Sequence, residues 1–173
     1  IIQISFSQDI IIKDEVKLLE SDQFENIFIV NETNKLLKYP KDNYTNYLEF
    51  SNIEYGNIQK IMINNPFRLI IFYEDSQKIL FVDKNLNELN IKIDLFNLFN
   101  NRIIDVANSS NLLFFISELN EIFVYDISKG KIINSKKILL STNSKSIKIF
   151  SNENMIFVLE NDSKKVLNYQ LDF

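Results

Sequence analysis

The sequence predicts an all-β fold made of repeated four-stranded sheets, and three observations predict it. The 173 residues include 28 Ile and 15 Phe but a single Ala, so strand-forming residues are abundant and the best helix former is nearly absent. Short apolar runs alternate with polar turns along the whole chain. These runs also recur at an interval of about 43 residues, which is typical of a repeat protein.

The interval is visible in two independent sets of residues. Four segments share an apolar run, a polar turn and a second apolar run. The second runs begin 43, 43 and 44 residues apart, at Leu36, Ile79, Ile122 and Val166. Short alternating runs precede three of the copies, also 43 residues apart, and begin at Ile61, Ile104 and Ile147. The short alternating runs were not used to find the interval between the apolar runs. Because they show the same interval of 43 residues, they support a true repeat.

Each repeat is predicted to form four short strands. In the second repeat these are expected at about 58–63, 68–74, 78–83 and 89–95. The middle strands are apolar at nearly every position, which is typical of strands covered on both faces. A four-stranded meander that repeats every 40 to 50 residues and is buried on both faces is a β-propeller blade.

The predicted organisation is a single partial β-propeller domain over residues 8–173. Its blades are expected at roughly 14–56, 57–99, 100–142 and 143–173. One blade cannot bury both of its own faces, so stacking against its neighbours would supply most of the stability. The alternative is an open sandwich or barrel of about 15 strands, which the regular interval disfavours.

Composition excludes several kinds of chemistry. The chain has no Cys and no His, which removes thiol nucleophiles, thiolate and imidazole metal ligands, and Ser-His-Asp catalysis. The net charge of −4 argues against binding to a nucleic-acid backbone. No cofactor or metal site is predicted.

The beginning of the chain resembles the end of a secretory signal peptide. Residues 1–7 are largely apolar and end with small residues at alternate positions, Ser5 and Ser7. The alternative is an ordinary N-terminal strand. No later apolar run is long enough to span a bilayer. We therefore expect an exported protein, periplasmic or extracellular, without a transmembrane segment.

An aromatic segment between residues 39 and 55 is the predicted interaction patch. Tyrosine is enriched at surfaces that bind proteins or sugars. The candidate residues are Tyr39, Tyr44, Tyr47 and Tyr55. The competing interpretation is an outer-edge strand, about residues 47–50, anchored by its Tyr side chains.

Carboxylates are the only acid–base groups left for catalysis. Asp83 and Asp126 occupy equivalent positions in two repeats, which predicts that they accept backbone N–H groups in turns. Residues 83–87 also have the spacing of the start of a calcium loop. The next residue is Glu88 where such loops need Gly, so a hairpin turn is the preferred interpretation.

One block of the second repeat resembles a known group of proteins. The segment Asn64-Asn65-Pro66-Phe67, the apolar strand after it and the following strand end Val82-Asp83-Lys84 resemble small secreted β-propeller proteins of flavobacteria and other Bacteroidetes. Residues 5–8 resemble signal cleavage sites of that group. The resemblance implies a secreted β-propeller, and it suggests a relationship to the plug subunit of the type IX secretion translocon, a non-enzymatic part that closes an outer-membrane channel. No catalytic or ligand-binding residue is implied by it.

The functional prediction is a non-enzymatic, exported interaction or scaffold module with a protein partner, associated with an outer-membrane complex. A carbohydrate- or small-ligand-binding propeller, with Tyr44 and Tyr55 as stacking residues, is the first alternative. The second alternative is a hydrolase or lyase that uses carboxylates in a central channel.

Overall fold

The computed structural model describes residues 15–41, 43–140, 146–153 and 155–170. Residues 1–7, predicted to end a signal peptide, lie outside the described part.

The described residues form antiparallel sheets in which each strand pairs with the next along the chain. Sheet 1 contains β1 (Val16–Ser21), β2 (Ile27–Asn31), β3 (Leu36–Tyr39) and β4 (Leu48–Phe50). Sheet 2 contains β5 (Ile58–Met62), β6 (Arg68–Tyr73), β7 (Lys78–Asp83) and β8 (Glu88–Asp94).

Sheets 3 and 4 continue the same order. Sheet 3 contains β9 (Ile103–Ser109), β10 (Leu112–Ser117), β11 (Glu121–Asp126) and β12 (Lys131–Lys137). Sheet 4 contains β13 (Ile147–Ser151), β14 (Met155–Glu160) and β15 (Lys165–Gln170). A 3₁₀ turn, Ile53–Tyr55, and a short helix, α1 (Leu95–Leu98), lie in the connections between sheets.

The predicted all-β propeller architecture is confirmed. The four strands of sheet 2 lie within one residue of the predicted positions. Four sheets follow one another at the predicted interval, and none of the described intervals is occupied by a long helix. The chain is therefore a series of β-propeller blades, three with four strands and one with three described strands.

A shared backbone turn explains the regular interval. In each sheet the hairpin after the second strand contains one residue with positive φ: Asn34 (63°), Gln77 (52°), Asn120 (61°) and Lys164 (53°). The N–H of each donates to the carbonyl oxygen three residues before it. Each repeat thus reverses direction through the same left-handed conformation, which Asn adopts more readily than most residues.

Stacking of the sheets creates three apolar layers. The layer between sheets 1 and 2 includes Phe28, Val30, Leu36, Leu69 and Ile71. The layer between sheets 2 and 3 includes Ile70, Phe72, Phe81, Leu113 and Phe115. The layer between sheets 3 and 4 includes Phe114, Ile116, Ile149, Ile156 and Val158. Odd and even positions of the middle strands therefore face different neighbours, which is why these strands lack an apolar–polar alternation.

The face of sheet 4 that points away from sheet 3 is only partly covered. Phe157 and Leu159 are half-buried there, and Val166 is 61% exposed. Their counterparts one repeat earlier, Phe114 and Ile116, are fully buried against sheet 4. The repeat thus carries the same apolar pattern whether or not a neighbouring sheet covers it.

In the described part of the chain, no helix is long and apolar enough to cross a membrane.

Candidate functional site

The strand order assigns every turn to one of two ends of the sheets. Neighbouring strands are antiparallel, so the turns after the first and third strands of each sheet lie at one end. We call this end the aromatic end. The turns after the second strands, and the connections between sheets, lie at the opposite end, which we call the linker end.

Two exposed phenylalanines meet at the aromatic end. Phe24 lies in the turn between β1 and β2 and is 50% exposed, while Phe67 precedes β6 and is 63% exposed. Their ring centroids are 6.4 Å apart in an edge-to-face arrangement with an interplanar angle of 68°. Sheets 1 and 2 therefore jointly present an apolar surface to solvent.

The same local turn holds both rings. Asp22 Oδ1 accepts hydrogen bonds from the backbone N–H groups of Phe24 and Asn26, each at 2.9 Å. Asn65 Oδ1 accepts the N–H of Phe67, also at 2.9 Å. In each case an Asx side chain caps the backbone of the Phe two residues later, a turn that Asp and Asn favour. The rings consequently project from well-defined backbone positions.

Three of the four predicted tyrosines adjoin this surface. Tyr39 is 9% exposed and packs against Tyr47, with ring centroids 5.4 Å apart. The hydroxyl of Tyr44 donates to the carbonyl oxygen of Glu25, beside Phe24, at 3.3 Å. Tyr47 is 51% exposed. These three residues thus extend the aromatic end across the outer part of sheet 1.

Tyr55 lies elsewhere. It belongs to the 3₁₀ turn at the linker end, where its ring packs edge-to-face on Tyr73 at 5.5 Å. The ammonium group of Lys78 is 5.8 Å from the Tyr55 ring centroid. The predicted patch is therefore divided between the two ends, and the structure does not bring Tyr44 and Tyr55 together.

A groove of about 420 Å³ runs beside Phe67. Its lining consists of uncharged residues from the turns of sheets 1, 2 and 3: Gln23, Asn64, Asn65, Pro66, Phe67, Ser110 and Asn111. The side-chain oxygen of Asn111 accepts a hydrogen bond from Arg68 Nη2 at 3.0 Å. With the Asn65 oxygen bound to the Phe67 N–H, both amides present their NH₂ groups as donors.

The first strands of the four sheets surround a second cavity of about 350 Å³, the central channel. The Lys60 ammonium group contacts both oxygens of Asp105 at 3.1 Å and the Ile149 carbonyl oxygen at 3.0 Å. Asp105 also accepts the N–H of Ile149 at 2.8 Å. Asp105 is fully buried, and burial lowers the pKa of Lys60 despite the opposing effect of Asp105. These bonds join sheets 2, 3 and 4 and use all three donors of the lysine.

The repeated carboxylates have the predicted structural role. Asp83 accepts the N–H groups of Asn85 and Asn87, at 2.8 and 2.9 Å. Asp126 accepts those of Ser128 and Lys129, at 2.9 and 3.0 Å. The side chain of Asn87 lowers the pKa of Asp83, and that of Lys129 lowers the pKa of Asp126, each by a hydrogen bond. Residues 83–87 form the predicted hairpin turn, between β7 and β8.

Sequence patterns alone did not single out the Phe24–Phe67 pair. The two residues are 43 positions apart in the chain and share the short pattern Asx-Xaa-Phe in the turn after the first strand of a sheet. That pattern, combined with the repeat interval, is the signal that could have identified them.

Solved structures similar to this chain are propellers. The crystal structure of the computationally designed Ika4 protein aligns with a TM-score of 0.69 and 11% identity, covering 96% of this chain and 100% of that one. The WD40 repeats of RRP9 align with a TM-score of 0.59 and 9% identity, covering 91% of this chain and 52% of that one. Streptogramin B lyase aligns with a TM-score of 0.58 and 14% identity, covering 90% of this chain and 54% of that one.

These similarities establish the fold and no more, since one fold supports unrelated functions. The chain spans about half the length of the RRP9 and lyase chains. No protein-family model matches the sequence, and no curated protein matches it significantly.

Proposed function

We propose that this protein is a non-enzymatic interaction module that binds a protein partner through the aromatic end. The observation that carries the proposal is the exposed Phe24–Phe67 pair, which adjoins the partly exposed Tyr44 and Tyr47. Exposed aromatic clusters are costly in water, and aromatic residues dominate the energetic centres of protein interfaces. Binding would remove this apolar area from water.

The rigidity of the surface supports the proposal. The side-chain oxygens of Asp22 and Asn65 accept backbone N–H groups and so hold the two Phe-bearing turns. The Lys41 ammonium group contacts Glu25 at 2.8 Å, beside Tyr44. Preorganised loops on a rigid scaffold lose little conformational entropy when they bind. The propeller would therefore act by fixed display of its turns.

The state of the carboxylates favours a non-enzymatic role. Asp105 is bonded to Lys60 and to backbone, while Asp83 and Asp126 cap turns. A general acid or base needs an ionisable group that reaches its substrate, and these groups are occupied by structural bonds. A carboxylate-dependent hydrolase or lyase is accordingly the weaker proposal.

The geometry also bears on the carbohydrate alternative. Tyr44 and Tyr55 lie at opposite ends of sheet 1, and strands of five or six residues span roughly 17–20 Å. One sugar ring could not stack on both residues. The edge-to-face Phe24–Phe67 pair likewise does not form a flat stacking surface. Protein binding is therefore the preferred function.

We also propose that the protein is exported and works in the cell envelope. This proposal rests on the signal-like residues 1–7 and on the resemblance to secreted Bacteroidetes propellers, including the translocon plug subunit. Fractionation of the native host, followed by N-terminal sequencing, tests it. We expect the mature protein in the periplasm or medium, beginning near Gln8, and recovery only from the cytoplasm would contradict export.

Affinity purification tests the interaction. Tagged wild-type protein, the Phe24→Ser/Phe67→Ser double variant and Phe96→Ser would be purified from the envelope fraction and compared by quantitative mass spectrometry. Phe96 is a matched control, because it is 64% exposed but lies in α1 at the linker end. A partner should be recovered with the wild type and the control and lost with the double variant. If the double variant recovers the partner as well as the wild type does, the proposal is contradicted.

A further inference from the structure

We propose that the groove beside Phe67 binds an extended, uncharged peptide segment of the partner. Two amide groups would donate to peptide carbonyl oxygens, while an apolar side chain of the peptide would pack against the exposed rings of Phe24 and Phe67. This inference rests on the proposed function, since it specifies the kind of segment that the aromatic end recognises.

The orientation of two side chains supports the donor role. Asn65 Oδ1 is fixed by the Phe67 N–H at 2.9 Å, and Asn111 Oδ1 is fixed by Arg68 Nη2 at 3.0 Å. Each amide therefore presents its NH₂ group away from these bonds. The positive guanidinium group on the Asn111 oxygen also polarises that amide and strengthens its N–H donors. Both side chains are exposed, so a ligand that enters the groove displaces water from these donors and must supply acceptors in its place.

Extended peptide backbone supplies such acceptors. Carbonyl oxygens in an extended chain have no internal partners, whereas those of a helix are used by its own N–H groups. Grooves with aromatic walls and a few hydrogen-bond donors commonly recognise extended or polyproline-type segments. The groove lies between turns of three sheets, so it is open along its length rather than closed like a small-molecule cavity.

The lining excludes strongly charged ligands. None of the groove residues carries a charge, so a charged peptide side chain placed there would lose hydration without gaining an ion partner. The exposed surfaces of the edge-to-face Phe24–Phe67 pair offer a contact area for one aliphatic, proline or aromatic side chain. The expected recognition sequence is therefore uncharged, with one apolar anchor residue.

A displayed library of random dodecapeptides provides the probe. Selection on the wild-type protein would be followed by calorimetric titration of the enriched synthetic peptides. Asn65→Asp and Asn111→Asp are the key variants, because an Asp oxygen still accepts from the Phe67 N–H or from Arg68 while the amide donors are lost. Asn43→Asp is the charge control, since it adds the same charge at the aromatic end and still accepts the Thr45 hydroxyl. Phe67→Ser is compared with Phe96→Ser.

The inference predicts enrichment of uncharged peptides that bind one per protein. Each Asp variant should weaken binding roughly 3- to 10-fold, as expected for one lost hydrogen bond. Phe67→Ser should weaken it by about 30-fold or more, as expected for an aromatic hot spot. Asn43→Asp and Phe96→Ser should change it less than about 2-fold.

Other outcomes separate this inference from the proposed function. Peptides that depend on Phe67 but not on Asn65 or Asn111 would overturn the donor model and leave protein binding at the aromatic end intact. Enrichment of highly charged peptides, or of none, would overturn the inference, while the affinity purification above judges the proposed function independently. Phe67-dependent binding on a glycan array without any peptide binding would replace the peptide with a sugar.

Discussion

At the scale of single residues, Lys60 and Asp105 show how polar groups hold the inner strands together. The pair is 45 residues apart in the chain, and its bonds reach the backbone of β13 at Ile149. A buried charge is tolerated only when it is paired and hydrogen-bonded. The lysine therefore joins three sheets at the channel.

Removing one member of the Lys60–Asp105 pair should destabilise the fold. Asp105→Asn leaves the largely buried Lys60 ammonium group without its counter-ion, so the free energy of unfolding should fall by about 3 kcal/mol. Urea unfolding followed by circular dichroism measures the change. Glu49→Gln is the control, because its ion pair with Lys35 at 2.8 Å is exposed and should contribute under about 1 kcal/mol. Equal effects of the two substitutions would show that the channel pair is not structural.

At the scale of elements, the positive-φ residue of one sheet is also a link to the next sheet. Gln77 accepts the N–H of Ile103 at 2.7 Å and donates to its carbonyl oxygen at 2.8 Å. Asn34, one repeat earlier, accepts the N–H of Ile58 at 2.6 Å and donates to the Gly56 carbonyl oxygen at 2.8 Å. These two hairpins therefore position the first strands of sheets 2 and 3.

Gln77→Ala tests this link. The substitution leaves a buried backbone N–H without its acceptor, which should destabilise the fold by about 1–3 kcal/mol. Lys164→Ala is the control, because Lys164 has the same turn conformation, with φ 53°, but is exposed. Its loss of stability measures only the effect of placing Ala in this backbone conformation. Thermal unfolding of the two variants is compared, and the extra loss of stability in Gln77→Ala measures the contribution of its bonds to Ile103. Equal losses would contradict a stabilising role for this link.

At the scale of the whole molecule, stability comes from stacking rather than from any single sheet. Phe114 and Phe157 are one repeat apart, yet Phe114 is fully buried between sheets 3 and 4 while Phe157 is half-buried on the outer face. Apolar burial is proportional to the area removed from water. Equivalent residues should therefore make unequal contributions, according to their neighbours.

The pair of truncations Phe114→Ala and Phe157→Ala measures that inequality. Phe114→Ala should cost about 3–5 kcal/mol, in the range of buried Phe truncations, and Phe157→Ala should cost clearly less. Chemical denaturation of both variants provides the comparison. Similar losses would mean that position within the stack does not determine stability.

The fold was predictable because its pattern is repeated along the chain. Apolar spacing around Ile79 and Ile122 reports the strands directly, and Asp83 and Asp126 were correctly interpreted as turn residues. Contacts between repeats were harder to predict, since they depend on how the sheets twist and stack. The meeting of Phe24 with Phe67, and the separation of Tyr55 from Tyr44, follow from which end of a sheet each turn occupies.

Site-specific photo-crosslinking tests the central claim, that the aromatic end is the binding surface, most directly. A photoreactive phenylalanine analogue would replace Phe67 or, in the matched control, Phe96 at the linker end, in the native host. Both side chains are about equally exposed, at 63% and 64%. The account predicts a discrete protein adduct from position 67 and none from position 96. A discrete adduct from position 96 alone would contradict it.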